Sequence, residues 1–101
     1  MKIVEVETFV VANPPPRHGG RYFIFVKLTT DNGVSGIGEA YAASFNPHLI
    51  AKMIEDTADR FLIGENPFQI ETFWRRSYGV GYTLRPDPTL CGVISSLEMA
   101  C

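Results

Sequence analysis

Side chains alternate between two faces over residues 22–30, a stretch in which β-branched and aromatic residues dominate. That composition and a period of two are typical of a β-strand. One face carries Tyr22, Ile24, Val26 and Leu28, and the other carries Phe23, Phe25, Lys27 and Thr29. Asp31, Asn32 and Gly33 then supply residue types that tolerate the positive φ of a tight reversal, and the alternation resumes over residues 34–39. The pattern predicts an antiparallel hairpin.

The return strand of this hairpin contains Gly36 and Gly38. Glycine weakens a strand and is usually kept where another backbone or a ligand must come close. We therefore expect a bare patch on this strand that a neighbouring group covers.

Residues 2–11 alternate in the same way. The predicted apolar face holds Val4, Val6, Thr8 and Val10, and the opposite, mostly charged face holds Ile3, Glu5, Glu7 and Phe9. A first strand paired with the hairpin makes a three-stranded meander. The connecting residues 13–21 include three prolines and two glycines. Because this connection is longer than most hairpin loops, it is a candidate binding loop.

Three Asn-Pro or Asp-Pro pairs mark predicted helix starts, since Asn and Asp are good N-caps and proline suits the first helical turn. They are Asn46-Pro47, Asn66-Pro67 and Asp87-Pro88. Apolar residues recur at helical spacing after each pair. The predicted inward stripes are Leu49, Ile50, Met53, Ile54, Thr57, Ala58, Phe61 and Leu62 in the first helix, Ile70, Phe73, Trp74 and Ser77 in the second, and Leu90, Ile94, Leu97 and Cys101 in the third. Gly64 is predicted to end the first helix as a left-handed cap.

These elements predict an α+β fold in which a three-stranded antiparallel meander precedes a bundle of three helices, with residues 1–101 forming a single domain. The third helix begins with a cap but shows no glycine, asparagine, proline or basic last turn to end it. We therefore expect this helix to continue beyond residue 101 and the chain to be the front of a longer polypeptide.

Composition limits the partners. The net charge of −2 argues against a nucleic-acid or anionic-membrane surface, because phosphate binding requires clustered positive charge. Glu5 and Glu7 interrupt the apolar run that a secretory signal needs, and no stretch approaches the roughly 18 apolar residues of a membrane span. Cys91 and Cys101 are about 15 Å apart along one predicted helix, too far for a bridge. We expect a soluble, cytoplasmic protein with reduced thiols.

Motifs for catalysis or metal binding are not evident. Gly36 and Gly38 lack the third glycine of a dinucleotide fingerprint. His18 and His48 are not at metal-ligand spacing from each other, and no cysteine pair forms a zinc motif. We therefore predict no catalytic and no metal-binding residue in this chain.

Three irregular segments carry the remaining chemistry-bearing side chains: residues 13–21, 41–45 and 78–86. The candidate substrate-binding residues in them are Arg17, His18, Tyr41, Phe45, Tyr82 and Arg85. One interpretation is that these are ordinary surface loops. The other is that they cover a site for an anionic, hydroxylated small molecule, with arginine as a bidentate partner of a carboxylate.

Several strings resemble the N-terminal domain of mandelate racemase/muconate lactonizing enzymes, which belong to the enolase superfamily. They are Met1-Lys2-Ile3, the hairpin of residues 26–39, Leu62-Ile63-Gly64-Glu65-Asn66-Pro67, and Ile94-Ser95-Ser96-Leu97-Glu98-Met99-Ala100-Cys101. The likeness covers essentially the whole chain. In such proteins the last string runs on into a (β/α)-barrel.

The resemblance implies a capping domain that closes over an active site built by a C-terminal barrel. It implies Mg²⁺ bound by that barrel, acid/base groups that remove a proton next to a carboxylate, and a sugar-acid substrate. Residues 13–21 and 40–46 match the two specificity loops of the family. A sugar-acid dehydratase is the first choice, and a racemase, epimerase or cycloisomerase is the second. The resemblance also implies a homo-oligomer for the full-length enzyme.

A different class of function remains open. The chain could be a free-standing protein-interaction module without catalytic activity, in which the apolar stripe of the last helix pairs with a partner chain. A third interpretation is a self-associating structural domain.

Overall fold

The computed structural model describes residues 1–12, 22–40, 46–78 and 88–101. For residues 78 and 88–90 it describes the backbone but not the side chains. Within these ranges the chain forms three strands followed by three helices. They are β1 (Ile3–Ala12), β2 (Tyr22–Thr30), β3 (Ser35–Ala40), α1 (Pro47–Phe61), α2 (Ile70–Tyr78) and α3 (Pro88–Ala100). The predicted α+β architecture is confirmed.

The strands form one antiparallel sheet in the order β1-β2-β3. The helices cover one face of the sheet, here called the inner face. On this face Ile24, Val26 and Leu28 of β2 are almost completely buried beneath the helices. At the hairpin turn the amide of Thr30 donates to the carbonyl of Val34 (2.9 Å), and Gly33 adopts a φ of 87°. The predicted hairpin and its alternation are therefore confirmed.

A register shift at the start of β1 changes one part of the predicted pattern. Ile3 pairs with Thr30 whereas Glu5 pairs with Thr29, so one extra residue is inserted between them. The insertion turns Ile3 to the inner face, where it is fully buried, and leaves Val4 54% exposed. The predicted facing of these two residues was wrong because strict alternation cannot represent a bulge.

Helix α1 begins as predicted. The side chain of Asn46 accepts a hydrogen bond from the amide of His48 (2.9 Å), and Pro47 occupies the first turn. Ile50, Ile54 and Ala58 are buried, but Leu49 is 59% exposed and does not belong to the inward stripe. After the helix Gly64 has a φ of 88°, as expected for a left-handed cap, and its amide donates to the carbonyl of Ile3 (2.7 Å).

Helix α2 begins later than predicted. Asn66 Oδ1 accepts from the amide of Phe68 (3.0 Å), and the carbonyl of Asn66 accepts from the amide of Gln69 (3.0 Å). These bonds close a separate turn, so the helix begins at Ile70 rather than at Pro67. Trp74 then joins α2 to α3 through a hydrogen bond from its Nε1 to Glu98 Oε2 (2.7 Å).

Helix α3 lies directly on the two glycines of β3. A Cβ atom added to Gly36 would be 2.0 Å from the carbonyl oxygen of Ala100, and one added to Gly38 would be 1.9 Å from the carbonyl oxygen of Ser96. The expected close approach is confirmed, and the neighbouring group is the backbone of α3. Val93, Ile94 and Leu97 of the same helix are fully buried in the core, so the apolar stripe of α3 is used within the chain.

None of the described helices is long and apolar enough to cross a lipid bilayer. Cys91 and Cys101 are both free thiols and are partly buried.

Replacing Gly38 by alanine tests the contact between α3 and β3. The added methyl group overlaps a backbone carbonyl that cannot move without shifting the helix, so we expect Gly38→Ala to lower the free energy of unfolding by about 3 kcal/mol or more. Gly33→Ala is the matched control, because its methyl group meets no atom within 4 Å and only the backbone at a φ of 87° is strained. That control should cost about 1 kcal/mol. Urea unfolding measures both, and equal losses would contradict the packing.

The thiol of Cys101 provides a second test. Partial burial, with a smaller contribution from the Glu98 carboxylate, raises the pKa of this thiol from 9.0 to about 11. Because the thiolate is the reactive form, Cys101 in a Cys91→Ser variant should react with a small thiol reagent at pH 8 about 100-fold more slowly than in the urea-unfolded chain. Burial also slows access, so the pH dependence is decisive. The rate for the folded chain should still rise between pH 9 and 11, and a plateau at the unfolded value would contradict the raised pKa.

Candidate functional site

All six candidate substrate-binding residues lie outside the described part of the chain. They are Arg17, His18, Tyr41, Phe45, Tyr82 and Arg85. The structure does describe the residues that flank their three segments, and those residues define where the segments are anchored.

Two of the segments are anchored on neighbouring strands at one end of the sheet. Ala12, the last residue of β1, pairs with Tyr22, the first residue of β2. Ala40, the last residue of β3, pairs with Ile24. Adjacent strands are about 5 Å apart, so residues 13–21 and 41–45 leave the sheet within roughly 10 Å of each other. We call this end of the sheet, defined by Ala12, Tyr22 and Ala40, the loop edge.

Helix α3 points its N-terminus toward the loop edge. Ser96 lies over Gly38 and Ala100 lies over Gly36, so α3 runs antiparallel to β3. The helix extends about 12 Å from Ser96 back to Pro88, whereas β3 extends only about 7 Å from Gly38 to Ala40. The start of α3 therefore lies at or slightly beyond the loop edge. Most of the third segment belongs to residues 79–87, which directly precede this helix in the sequence.

Helix α1 also starts at the loop edge. Thr8 Oγ1 donates to Glu55 Oε2 (3.2 Å) midway along the helix, and after the helix the amide of Gly64 reaches the carbonyl of Ile3. Helix α1 therefore runs antiparallel to β1, and its first turn lies near Ala12. The segment of residues 41–45 connects β3 to this turn.

The first turn of α1 adds His48 to the candidates. Its amide is already bonded to the Asn46 side chain, and the amide of Leu49 donates to the Asn46 carbonyl (3.0 Å), so these backbone donors are engaged. The side chain of His48 is exposed. The sequence placed His48 next to the segment of residues 41–45, and its position just after an N-cap was the available signal that it borders the loop edge.

The electrostatics of α1 suit an anion. The N-terminus of a helix carries a partial positive charge, and the first turn of α1 contains no acidic residue to neutralise it. The first turn of α3 also contains no acidic residue, and Asp87, which precedes that helix in the sequence, lies outside the described residues.

Among residues 1–12, 22–40, 46–78 and 88–101, no group of three or more His, Cys, Asp or Glu side chains could hold a metal ion. Glu5 and Glu7 are neighbours on the face of the sheet away from the helices. A hydrogen bond with Glu7, and then the like charge of Glu7, raise the pKa of Glu5. Both side chains lie outside any cleft formed with the loop edge, so they are not an acid/base pair for a substrate there.

Comparison with known proteins identifies the family. The family model described as "Mandelate racemase / muconate lactonizing enzyme, N-terminal domain" matches residues 5–101. Two curated relatives are a D-galactonate dehydratase family member from Pseudarthrobacter chlorophenolicus, 31% identical over 99% of this chain, and a D-galactonate dehydratase from Ralstonia pickettii, 30% identical over 99%. The chain spans 22% and 23% of their lengths, respectively.

Solved structures agree with this assignment. A protein from Labrenzia alexandrii, assigned to the mandelate racemase/muconate lactonizing enzymes, superposes with a TM-score of 0.95 at 60% identity. The superposition includes all of the present chain and 26% of the Labrenzia alexandrii protein. A mandelate racemase/muconate lactonizing enzyme from Jannaschia sp. gives a TM-score of 0.92 at 46% identity, with the same coverage.

The sheet, the glycine-packed last helix and the extent of these matches lead to one conclusion. This chain belongs to the family of mandelate racemase/muconate lactonizing enzyme N-terminal domains, within the enolase superfamily.

Proposed function

We propose that this domain caps the active site of a magnesium-dependent enzyme that removes a proton next to the carboxylate of a sugar acid. The observation that carries the proposal is the anchoring of three loop segments at one edge of the sheet, with the N-terminus of α1 beside them. Segments fixed at a common rigid edge can close over a substrate together and exclude water from it.

The relatives favour a dehydratase. One relative is named a D-galactonate dehydratase, and another is named a D-galactonate dehydratase family member. Galactonate is a polyhydroxylated carboxylate. We propose a sugar acid of this kind as the substrate and dehydration as the reaction. The family name makes racemisation, epimerisation or cycloisomerisation the second choice.

The candidate side chains have distinct proposed roles. Arg17 and Arg85 would bind carboxylate oxygens, since a guanidinium offers paired donors that match a carboxylate. Tyr41, Tyr82 and His18 would bond to hydroxyl groups of the substrate, and Phe45 would shield it from water. These contacts position the substrate and give specificity, whereas acid/base chemistry would come from a barrel domain that this chain does not span.

Magnesium does not fit the described residues of this chain, which offer no cluster of suitable ligands. We propose that a C-terminal barrel binds it. When bound, the ion would stabilise negative charge that develops on the substrate carboxylate.

The purified chain should have no turnover by itself. We expect D-galactonate and a panel of related sugar acids to remain unchanged, with or without added Mg²⁺, when the 2-keto product is assayed with semicarbazide. A solved homologous enzyme that is active on one panel member serves as the positive control. Magnesium-dependent product formation by the chain alone would overturn the division of roles.

A chimera tests the capping role itself. In it, this chain replaces the matching first quarter of the Labrenzia alexandrii protein, which is 60% identical to it. For a sugar acid that the parent protein turns over, Arg17→Ala in the chimera should lower kcat/KM at least ten-fold, mainly by raising KM, because a charged hydrogen bond to the substrate is lost.

The matched control in the chimera is Arg60→Ala. Arg60 is exposed on α1 and pairs with Asp56 (3.1 Å). This substitution also removes an arginine, but from a surface ion pair, and should leave kcat/KM unchanged. Equal effects of the two substitutions, or a folded chimera without the activity of its parent, would contradict the proposal.

A further inference from the structure

Asn32 differs from the other asparagines of the chain in the residue that follows it. Asn32 precedes Gly33, whereas the other three asparagines precede proline, namely Asn13, Asn46 and Asn66. An asparagine side chain loses ammonia when the amide nitrogen of the next residue attacks its Cγ atom and closes a five-membered succinimide ring. Proline has no amide proton and cannot react in this way, whereas glycine has no side chain to hinder the attack. Asn32 is therefore the one asparagine in the sequence that can follow this route.

The hairpin turn leaves both reacting groups accessible to water. Asn32 and Gly33 are exposed, and a Cβ atom placed on Gly33 would meet no atom within 4 Å. The Gly33 amide donates to the carbonyl of Thr30 (3.1 Å), and this bond must open because the attacking nitrogen has to lose its proton. Exposed bonds of this kind open locally at a small cost in free energy, without global unfolding.

The same turn directs hydrogen-bond donors at the oxygen that becomes negative. Asn32 Oδ1 accepts from the amide of Val34 (3.4 Å), and the Thr30 hydroxyl is also within hydrogen-bonding distance of this oxygen. The hydroxyl reaches the Val34 carbonyl as well (3.0 Å), so its single proton can turn to either acceptor. Negative charge develops on Oδ1 when the Gly33 nitrogen attacks Cγ, and donors already directed at such an oxygen stabilise the transition state. Thr30 and Val34 thus form the equivalent of an oxyanion hole around Asn32.

We propose that the turn promotes spontaneous deamidation of Asn32 in the folded chain, and that the isoaspartate formed there loosens the hairpin beneath α3. The Gly33 nitrogen gives its proton to hydroxide and bonds to Cγ of Asn32, and the side-chain nitrogen leaves as ammonia with a proton from water. Water then opens the succinimide at either carbonyl carbon. Cleavage at Cγ gives aspartate, and cleavage at the backbone carbonyl carbon gives isoaspartate. Each product has gained one water and lost one ammonia. The inference does not depend on the proposed enzymatic role.

The two products differ in their effect on the hairpin. Aspartate leaves the backbone unchanged, and its carboxylate can still accept from the amide of Val34. Isoaspartate inserts one methylene group into the backbone of the turn, across which the Thr30 amide bonds to the Val34 carbonyl (2.9 Å). The longer turn displaces the start of β3 relative to β2. Gly36 lies in this part of β3, directly under the backbone carbonyl of Ala100, so the displacement disturbs the contact with α3.

Ammonia release and peptide mass spectrometry test the modification. The purified chain is incubated at pH 8 and 37 °C, either folded or unfolded in guanidinium chloride. We expect one ammonia per chain, conversion confined to Asn32, and a folded rate no more than about ten-fold below the unfolded rate. Reaction through global unfolding alone would be slower by the unfolded fraction, about 10⁻³ or less. A folded rate more than ten-fold below the unfolded rate would overturn the proposal, as would equal conversion of Asn46.

Two hydroxyl deletions test whether the turn promotes the reaction. Thr30→Val should slow deamidation of the folded chain at least about three-fold, because one donor to Oδ1 is lost, and should not change the rate in guanidinium chloride. Ser35→Ala is the matched control, because Ser35 is exposed in the same hairpin, and its replacement should change neither rate. A faster folded rate in Thr30→Val, or equal effects of the two substitutions, would contradict the proposal.

Urea unfolding of the separated products tests the effect on the hairpin. The isoaspartate form should unfold at a midpoint at least about 0.5 M below that of the unmodified chain. Asn32→Asp is the control, because it adds the same negative charge without lengthening the backbone, and its midpoint should stay close to that of the unmodified chain. An isoaspartate form as stable as Asn32→Asp would refute the proposed loosening.

Discussion

The contact between the backbone of α3 and the two glycines of β3 determines how the domain is built. Carbonyl oxygens of Ser96 and Ala100 occupy the space that side chains at residues 38 and 36 would fill. Since no other residue type leaves that space free, glycine at both positions allows the helix to approach the strand closely, and the two contacts show that α3 runs antiparallel to β3. That direction brings the start of α3 to the loop edge, where two strands end, one begins and α1 starts. This contact places the start of α3 at the loop edge, whereas the pairing of β1, β2 and β3 places the described residues that flank the other two segments.

Much of this arrangement could be predicted from local chemistry. Asp31-Asn32-Gly33 indicated the hairpin, Asn46-Pro47 indicated the start of α1, and the glycines at 36 and 38 indicated a close approach without revealing that a helix makes it. Two features could not be predicted this way. The bulge at Val4 depends on how β1 pairs with β2, which alternation within one strand does not report. The late start of α2 arises because Asn66 closes a separate turn before the helix. An Asn-Pro pair is compatible with such a turn as well as with a helix start, so the sequence does not distinguish the two.

For the candidate site, the structure describes the framework, namely the ends of strands and helices that flank the three segments. Sequence patterns alone located the three segments but left surface loops and a binding site as equal alternatives. The family resemblance, which the comparisons confirm, supplied the reason to favour a binding site. The interaction-module alternative has less support, because Val93, Ile94 and Leu97 of α3 pack against the chain's own core. The chain spans only about a quarter of the length of the relatives it matches.

The account depends most directly on the direction of α3 relative to β3, and proton nuclear Overhauser effects measure that direction. We expect effects from the Hα protons of Gly38 to Ser96 and to the Hβ protons of Met99, and from the Hα protons of Gly36 to Ala100. This pattern would place the N-terminus of α3 at the loop edge. The reverse pattern, with Gly36 close to Ser96 and Gly38 close to Ala100, would direct the helix start to the other end of the sheet and contradict the account.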